Sequence, residues 1–108
     1  MNDLLRPALY DAWHGVRPVR PRSESSRQWQ IVGSVCESAD FLARDRELAL
    51  AEGDLLAILS AGAYAMAMSS NYNSRPRAAE VLVDGETMHL IGRRESVAEL
   101  FARESRLP

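Results

Sequence analysis

The chain has 108 residues, 46% of them hydrophobic and 26% charged, with a formal net charge of −2. That is enough for one small domain around one core and too little for two, and the slight acidity excludes a general affinity for nucleic acid or an anionic membrane surface. All thirteen basic residues are arginine, so no lysine is present to form a Schiff base with a carbonyl group of a substrate or cofactor.

Residues 1–14 open with Asn2 or Asp3 as the expected cap of a short helix, with Pro7 in its first turn. No signal peptide is expected, because Asn2 and Asp3 precede Arg6 and no apolar h-region follows. In a helix Arg6 and Tyr10 are four residues apart and share a face. Together they offer a guanidinium and a phenol to a carboxylate, or form an exposed arginine beside a half-buried tyrosine; the spacing leaves both open. Residues 15–28 carry two prolines, three serines and four arginines and read as a loop.

Residues 29–92 have the texture of a β domain. Trp29 to Cys36 is strand-like, Arg44 to Glu47 reads as a charged turn, and Leu55 to Ser60 is an apolar strand bounded by the turn signal Glu52-Gly53-Asp54. Ala63 to Met68 fits strand or helix by periodicity. Asn71 to Arg77 is an irregular polar loop. Ala79 to Val83, Asp84-Gly85 and Thr87 to Ile91 form the clearest hairpin. Residues 95–105 place Val97, Leu100 and Phe101 on one face of a closing amphipathic helix. The longest apolar run, Leu55 to Met68, is broken by Ser60 and Gly62 and is too short to span a bilayer.

Cys36 is the single cysteine, so no internal disulfide forms and the expected compartment is the reducing cytoplasm. Alone it reads as a buried structural cysteine. It stands just before a carboxylate, Glu37, and just after an apolar run. A thiol placed there can transfer a proton, and the carboxylate can hold an ammonium group. No metal site is expected, because His14 and His89 are isolated and Cys36 has no partner at ligand spacing. His89 alternates within a predicted strand and reads as a surface residue.

Five ordered motifs carry a family resemblance: Met1 to Tyr10 (containing Arg6-Pro7-Ala8-Leu9-Tyr10), Cys36-Glu37-Ser38-Ala39-Asp40-Phe41, Gly53-Asp54, Ser60-Ala61-Gly62-Ala63-Tyr64, and Asn71 to Arg77. Through nearly its whole length the chain resembles the carboxy-terminal β domain of the diaminopimelate decarboxylases. These are pyridoxal-phosphate enzymes of the fold type III group that includes alanine racemase and ornithine decarboxylase. The resemblance implies a mainly β fold, a β-barrel or sandwich, with a short N-terminal helix and a C-terminal helix. It implies that Arg6 and Tyr10 bind a substrate carboxylate and that Cys36 is the proton donor, supplied across a homodimer interface. Glu37 would recognise the amino group at the far end of the substrate, and Tyr64 would lie by both cofactor and substrate. Ornithine-type relatives typically carry aspartate where Glu37 stands, which favours diaminopimelate.

Family members also carry an amino-terminal (β/α)8 barrel that holds pyridoxal 5'-phosphate through a lysine and a glycine-rich phosphate loop, and neither feature is in this sequence. They contribute an early strand to the β domain as well. The chain is therefore expected to be a fragment, inactive alone, whose partner is a barrel polypeptide and whose uncovered last helix favours association. The rival expectations are a free-standing β-barrel binding module with an inert, buried Cys36, a scaffold fragment that dimerises, and a fragment of an ornithine- or carboxynorspermidine-type decarboxylase.

Overall fold

The computed structural model describes residues 2–108. Helix α1 (Arg6–Tyr10) is followed by strands β1 (Val16–Pro18), β2 (Arg27–Val32), β3 (Phe41–Leu48) and β4 (Leu56–Ile58). Then come helix α2 (Gly62–Ala65), a 3-10 turn (Tyr72–Ser74), strands β5 (Glu80–Asp84) and β6 (Thr87–Gly92), and helix α3 (Val97–Leu100).

The six strands pair as three antiparallel two-stranded sheets, β1 with β4, β2 with β3 and β5 with β6. Among the described residues no sheet closes into a barrel, so the barrel expected from the resemblance is not seen and the sandwich detail stays an expectation. Among the described residues each sheet has two strands and so two open edges. The mainly β character stands.

The β2–β3 pair is the longest. It runs from Arg27 opposite Leu48 to Val32 opposite Phe41, with register shifts around Ile31. Its aromatic rings are covered by arginines rather than by a second sheet: Arg27 lies 4.2 Å over Trp29, and Arg44 lies 3.8 Å over Phe41. The indole Nε1–H of Trp29 donates to the Leu48 carbonyl at 3.0 Å. These stacks explain why Arg44 to Glu47, expected as a turn, are strand residues. Their charges face water on a hairpin that is exposed along much of its length.

Other boundaries also move. Val16–Pro18, inside the expected 15–28 loop, pairs with Leu56–Ile58; Pro18 is tolerated because it ends a short edge strand. The strand expected to reach Cys36 stops at Val32. Ala63 to Met68 resolves as one helical turn, α2, plus a following turn. The N-cap of α1 is Leu5, with no side-chain cap. Asn2, expected as a cap, is instead buried, and its Nδ2 donates to the carbonyls of Ser70 and Tyr72 at 3.2 and 2.5 Å. The closing helix is a single turn held by a Ser96–Glu99 capping box, with exposed turn residues after it in place of a helix to residue 105. The β5–β6 hairpin falls where the alternation places it, with Gly85 at φ +58° in its turn.

Packing is sparse. Leu4 and Ala43 are the buried hydrophobic residues among those described, and no large side chain is fully enclosed. The radius of gyration is 16.4 Å, against about 13 Å for a compact domain of this length. One face of the β5–β6 hairpin carries Val81, Val83, Met88 and Leu90, by their pairing in register, and these are 53% to 76% exposed. Val97 and Phe101 are exposed as well.

Candidate functional site

Three segments carry the residues singled out in the sequence: α1, the turn between β2 and β3, and α2. Pro7 is buried in α1 and anchors the helix, while Arg6 is half-buried and Tyr10 exposed. The helix ends where Asp11 takes the left-handed conformation, φ 54°, and the Ala12 N–H donates to the Arg6 carbonyl at 3.3 Å. From α1 the Arg6 guanidinium reaches across to α2 and lies 4.9 Å over the ring of Tyr64. This contact joins two residues that are 58 positions apart in sequence (64 − 6), and it fixes a cation on an exposed aromatic face.

The turn of residues 33–40 is built around Asp40. The Gly33 N–H donates to the Asp40 carbonyl at 2.8 Å, and the Asp40 N–H donates to the Glu37 carbonyl at 3.0 Å. The Val35 N–H donates to Asp40 Oδ2 at 2.6 Å. The Glu37 N–H closes a tighter loop onto the Val35 carbonyl at 2.8 Å. From outside, Arg75 Nη1 donates to Ser34 Oγ at 2.6 Å. With the backbone so tied, Cys36, Glu37 and Ser38 face outward. Cys36 is a free, exposed thiol, which corrects its bland reading as a buried core residue.

A cavity of about 380 Å³ lies between these segments, bordered by Asp3 and Leu4 ahead of α1, by Ser34 and Val35 of the turn, by Ala61 and Ala65 around α2, and by Arg75. None of Arg6, Tyr10, Cys36, Glu37 and Tyr64 lines it. The structure brings Arg6 and Tyr64 together and keeps Cys36 beside Glu37. Among the described residues, no hydrogen bond or ion pair joins these two groups or ties either to Tyr10. Three residues of this region had no role assigned from the sequence: Gly33, Asp40 and Arg75. Asp40 stood in a quoted motif, but a bond from its side chain to the backbone five residues back leaves no periodic signature.

His14 is buried, and its Nδ1–H donates to the Leu59 carbonyl at 3.0 Å, so its place is structural. His89 is an exposed strand residue. Among the described residues no three of the types His, Cys, Asp and Glu gather as a metal would require, and no helix is long and apolar enough to cross a membrane.

The carboxylates with lowered pKa lie elsewhere. Asp54 is held down at about 2, chiefly by hydrogen bonds from Arg22 and then by the Ala51 N–H. Glu99 is held at about 2, chiefly by Arg93 and then by the N–H and hydroxyl of Ser96. Glu95 is lowered by the Arg77 N–H and by Asn71. Each stabilises a turn or helix cap.

Residues 1–62 match the family described as pyridoxal-dependent decarboxylase, C-terminal sheet domain. Over all 108 residues the chain is 66% identical to a diaminopimelate decarboxylase of Pseudomonas aeruginosa, and 56% identical to one of Vibrio cholerae. In both cases it covers 26% of the relative. Among solved structures, the diaminopimelate decarboxylase of M. jannaschii in complex with L-lysine superposes with a TM-score of 0.93 at 41% identity. That match covers 100% of this chain and 25% of the other. The Helicobacter pylori enzyme complexed with L-lysine matches with a TM-score of 0.86 at 40% identity, over 94% of this chain and 25% of that one. The chain thus spans about a quarter of the length of the relatives it matches, and by sequence and fold it belongs to the C-terminal sheet-domain family of the pyridoxal-dependent decarboxylases.

Proposed function

We propose that this chain is the C-terminal portion of a cytoplasmic diaminopimelate decarboxylase, an enzyme that converts meso-2,6-diaminopimelate to L-lysine and CO2. The observation that carries this reading is the tied turn at residues 33–40, which holds a thiol and a carboxylate side by side and outward. The identity to diaminopimelate decarboxylases supports it through the whole chain. The chain has no lysine, so the residue that anchors pyridoxal phosphate belongs to the remaining three quarters of the enzyme. The residues present fit one wall of such a site: an exposed aromatic ring, a cation fixed on it, a thiol and an acid. When bound, pyridoxal phosphate supplies an electron sink for the carbon that loses CO2.

Each of this chain's residues then has one task. Cys36 Sγ–H delivers a proton to the carbon from which CO2 has left. A thiol carries a transferable proton on its sulfur and suits a donor. Glu37 holds the far ammonium group of the substrate. Arg6 binds the far carboxylate, bidentately where geometry allows, with the Tyr10 hydroxyl as a second donor. Tyr64 backs the Arg6 guanidinium and borders substrate and cofactor. The acid–base pair formed by Glu37 and Arg6 matches a substrate whose far end carries one charge of each sign.

The open sheet edges and the exposed apolar hairpin face fit a portion covered by a (β/α)8 barrel and by a second protomer, with Cys36 serving the site across that interface. The test uses a chimera in which this chain replaces the matched 108 residues of the Pseudomonas aeruginosa enzyme. Cys36→Ala should leave pyridoxal-phosphate absorbance intact and lower kcat by about 10²-fold or more. A Cys36→Ala chimera with the parent's turnover would overturn the proton-donor assignment.

A further inference from the structure

We infer that Asp40 is a positioning residue whose buried carboxylate and backbone hold the 33–40 turn in one conformation, so that Cys36 and Glu37 are presented at fixed places. This rests on the reading of Cys36 as proton donor. Asp40 is 5% exposed, within a turn whose tip is exposed. One end of the turn, Gly33, donates its N–H to the Asp40 carbonyl at 2.8 Å. The Val35 N–H, directly before Cys36, donates to Asp40 Oδ2 at 2.6 Å. The Glu37 carbonyl accepts the Asp40 N–H at 3.0 Å. The hydrogen bonds of Asp40 therefore flank Cys36 on both sides. A buried carboxylate keeps its hydrogen bonds because losing them leaves a charge unsolvated, so the constraint persists while the exposed tip has little packing of its own.

Gly33 completes the latch. A Cβ at this position would fall well inside van der Waals distance of both Asp40 carboxylate oxygens, so only glycine lets the carboxylate sit against the backbone there. A donor displaced by about 1 Å from a reacting carbon costs up to about 10²-fold in rate. Freeing the turn should therefore act on turnover through Cys36, although Asp40 touches neither substrate nor cofactor in this role.

The experiment compares Asp40→Ala, Asp40→Asn and Gly33→Ala in the chimera, reading kcat and the rate at which iodoacetamide alkylates Cys36. Asn keeps an oxygen that can accept the Val35 N–H, so Asp40→Asn should hold kcat within about threefold of the parent. Asp40→Ala and Gly33→Ala should each lower kcat at least about tenfold and change the alkylation rate at least about threefold. Parent-like kcat and alkylation in Asp40→Ala would overturn the inference, as would an Asp40→Asn loss equal to that of Asp40→Ala. If Asp40→Ala does not assemble, the other two variants decide: kcat kept in Asp40→Asn and lost in Gly33→Ala supports the latch, and any other pairing overturns it. Cys36→Ala separates the two readings, because its full activity would remove the donor role while the alkylation rates still report on the latch.

Discussion

Replacing Arg6 by Ala should impair recognition of one end of the substrate and spare the chemistry. In the structure the guanidinium is held 4.9 Å over the Tyr64 ring, which orients it without engaging its hydrogen-bond donors. A charge-assisted hydrogen bond contributes about 1.5–3 kcal/mol, so losing the contact to the far carboxylate should raise KM about 10- to 150-fold. The stack at this half-exposed position contributes about 0.5–1 kcal/mol. Tyr64→Leu should therefore raise KM only a few-fold through Arg6, and a double-mutant cycle should return a coupling of that size. The assay has a built-in control. Because the product of the meso substrate is L-lysine, the reacting carbon has the D configuration, and D-lysine is the substrate without its far carboxylate. Competitive inhibition of the chimera by D-lysine should change less than about twofold in Arg6→Ala. Equal weakening of D-lysine and diaminopimelate would refute the assignment of Arg6 to the far carboxylate.

Acid should loosen the fold over a defined window. The folded pKa values of Asp54 and Glu99 lie at about 2, below their ordinary values of 3.8 and 4.5. Their contribution is therefore complete above the ordinary values and is lost as pH falls through about 2. The thermal midpoint should drop between roughly pH 5 and pH 2, and Asp54→Asn should flatten part of that slope; a flat profile in the parent would contradict the assignment. The apolar hairpin face should drive self-association of the isolated chain. Met88→Lys with Leu90→Lys, on that face, should shift its sedimentation towards monomer, and an unchanged distribution would show that another surface associates.

The β5–β6 hairpin was legible because alternating apolar residues flank a turn built on Asp84-Gly85, so pattern and turn chemistry agree. Arg44 to Glu47 misled for a physical reason. Consecutive charges usually mark a turn, but here arginine side chains cover Trp29 and Phe41 and Trp13 lies under Arg46, so the strand needs no apolar partner layer. Closure into a barrel is invisible in local sequence, since it depends on which edges meet. The motif around Cys36 was visible in the sequence, yet the bonding of Asp40 lay outside any spacing rule: its side chain bonds backward to the backbone of an irregular segment. Asn2 likewise read as a cap, because a buried amide bonding residues 68 and 70 positions away has no local signal.

The most direct measurement of the central claim is CO2 release from meso-diaminopimelate in the presence of pyridoxal phosphate, by the isolated 108-residue chain and by the chimera carrying it. The account predicts no release from the isolated chain, which has no lysine, and turnover by the chimera. Release by the isolated chain would contradict it, as would a folded, cofactor-loaded chimera that turns over nothing.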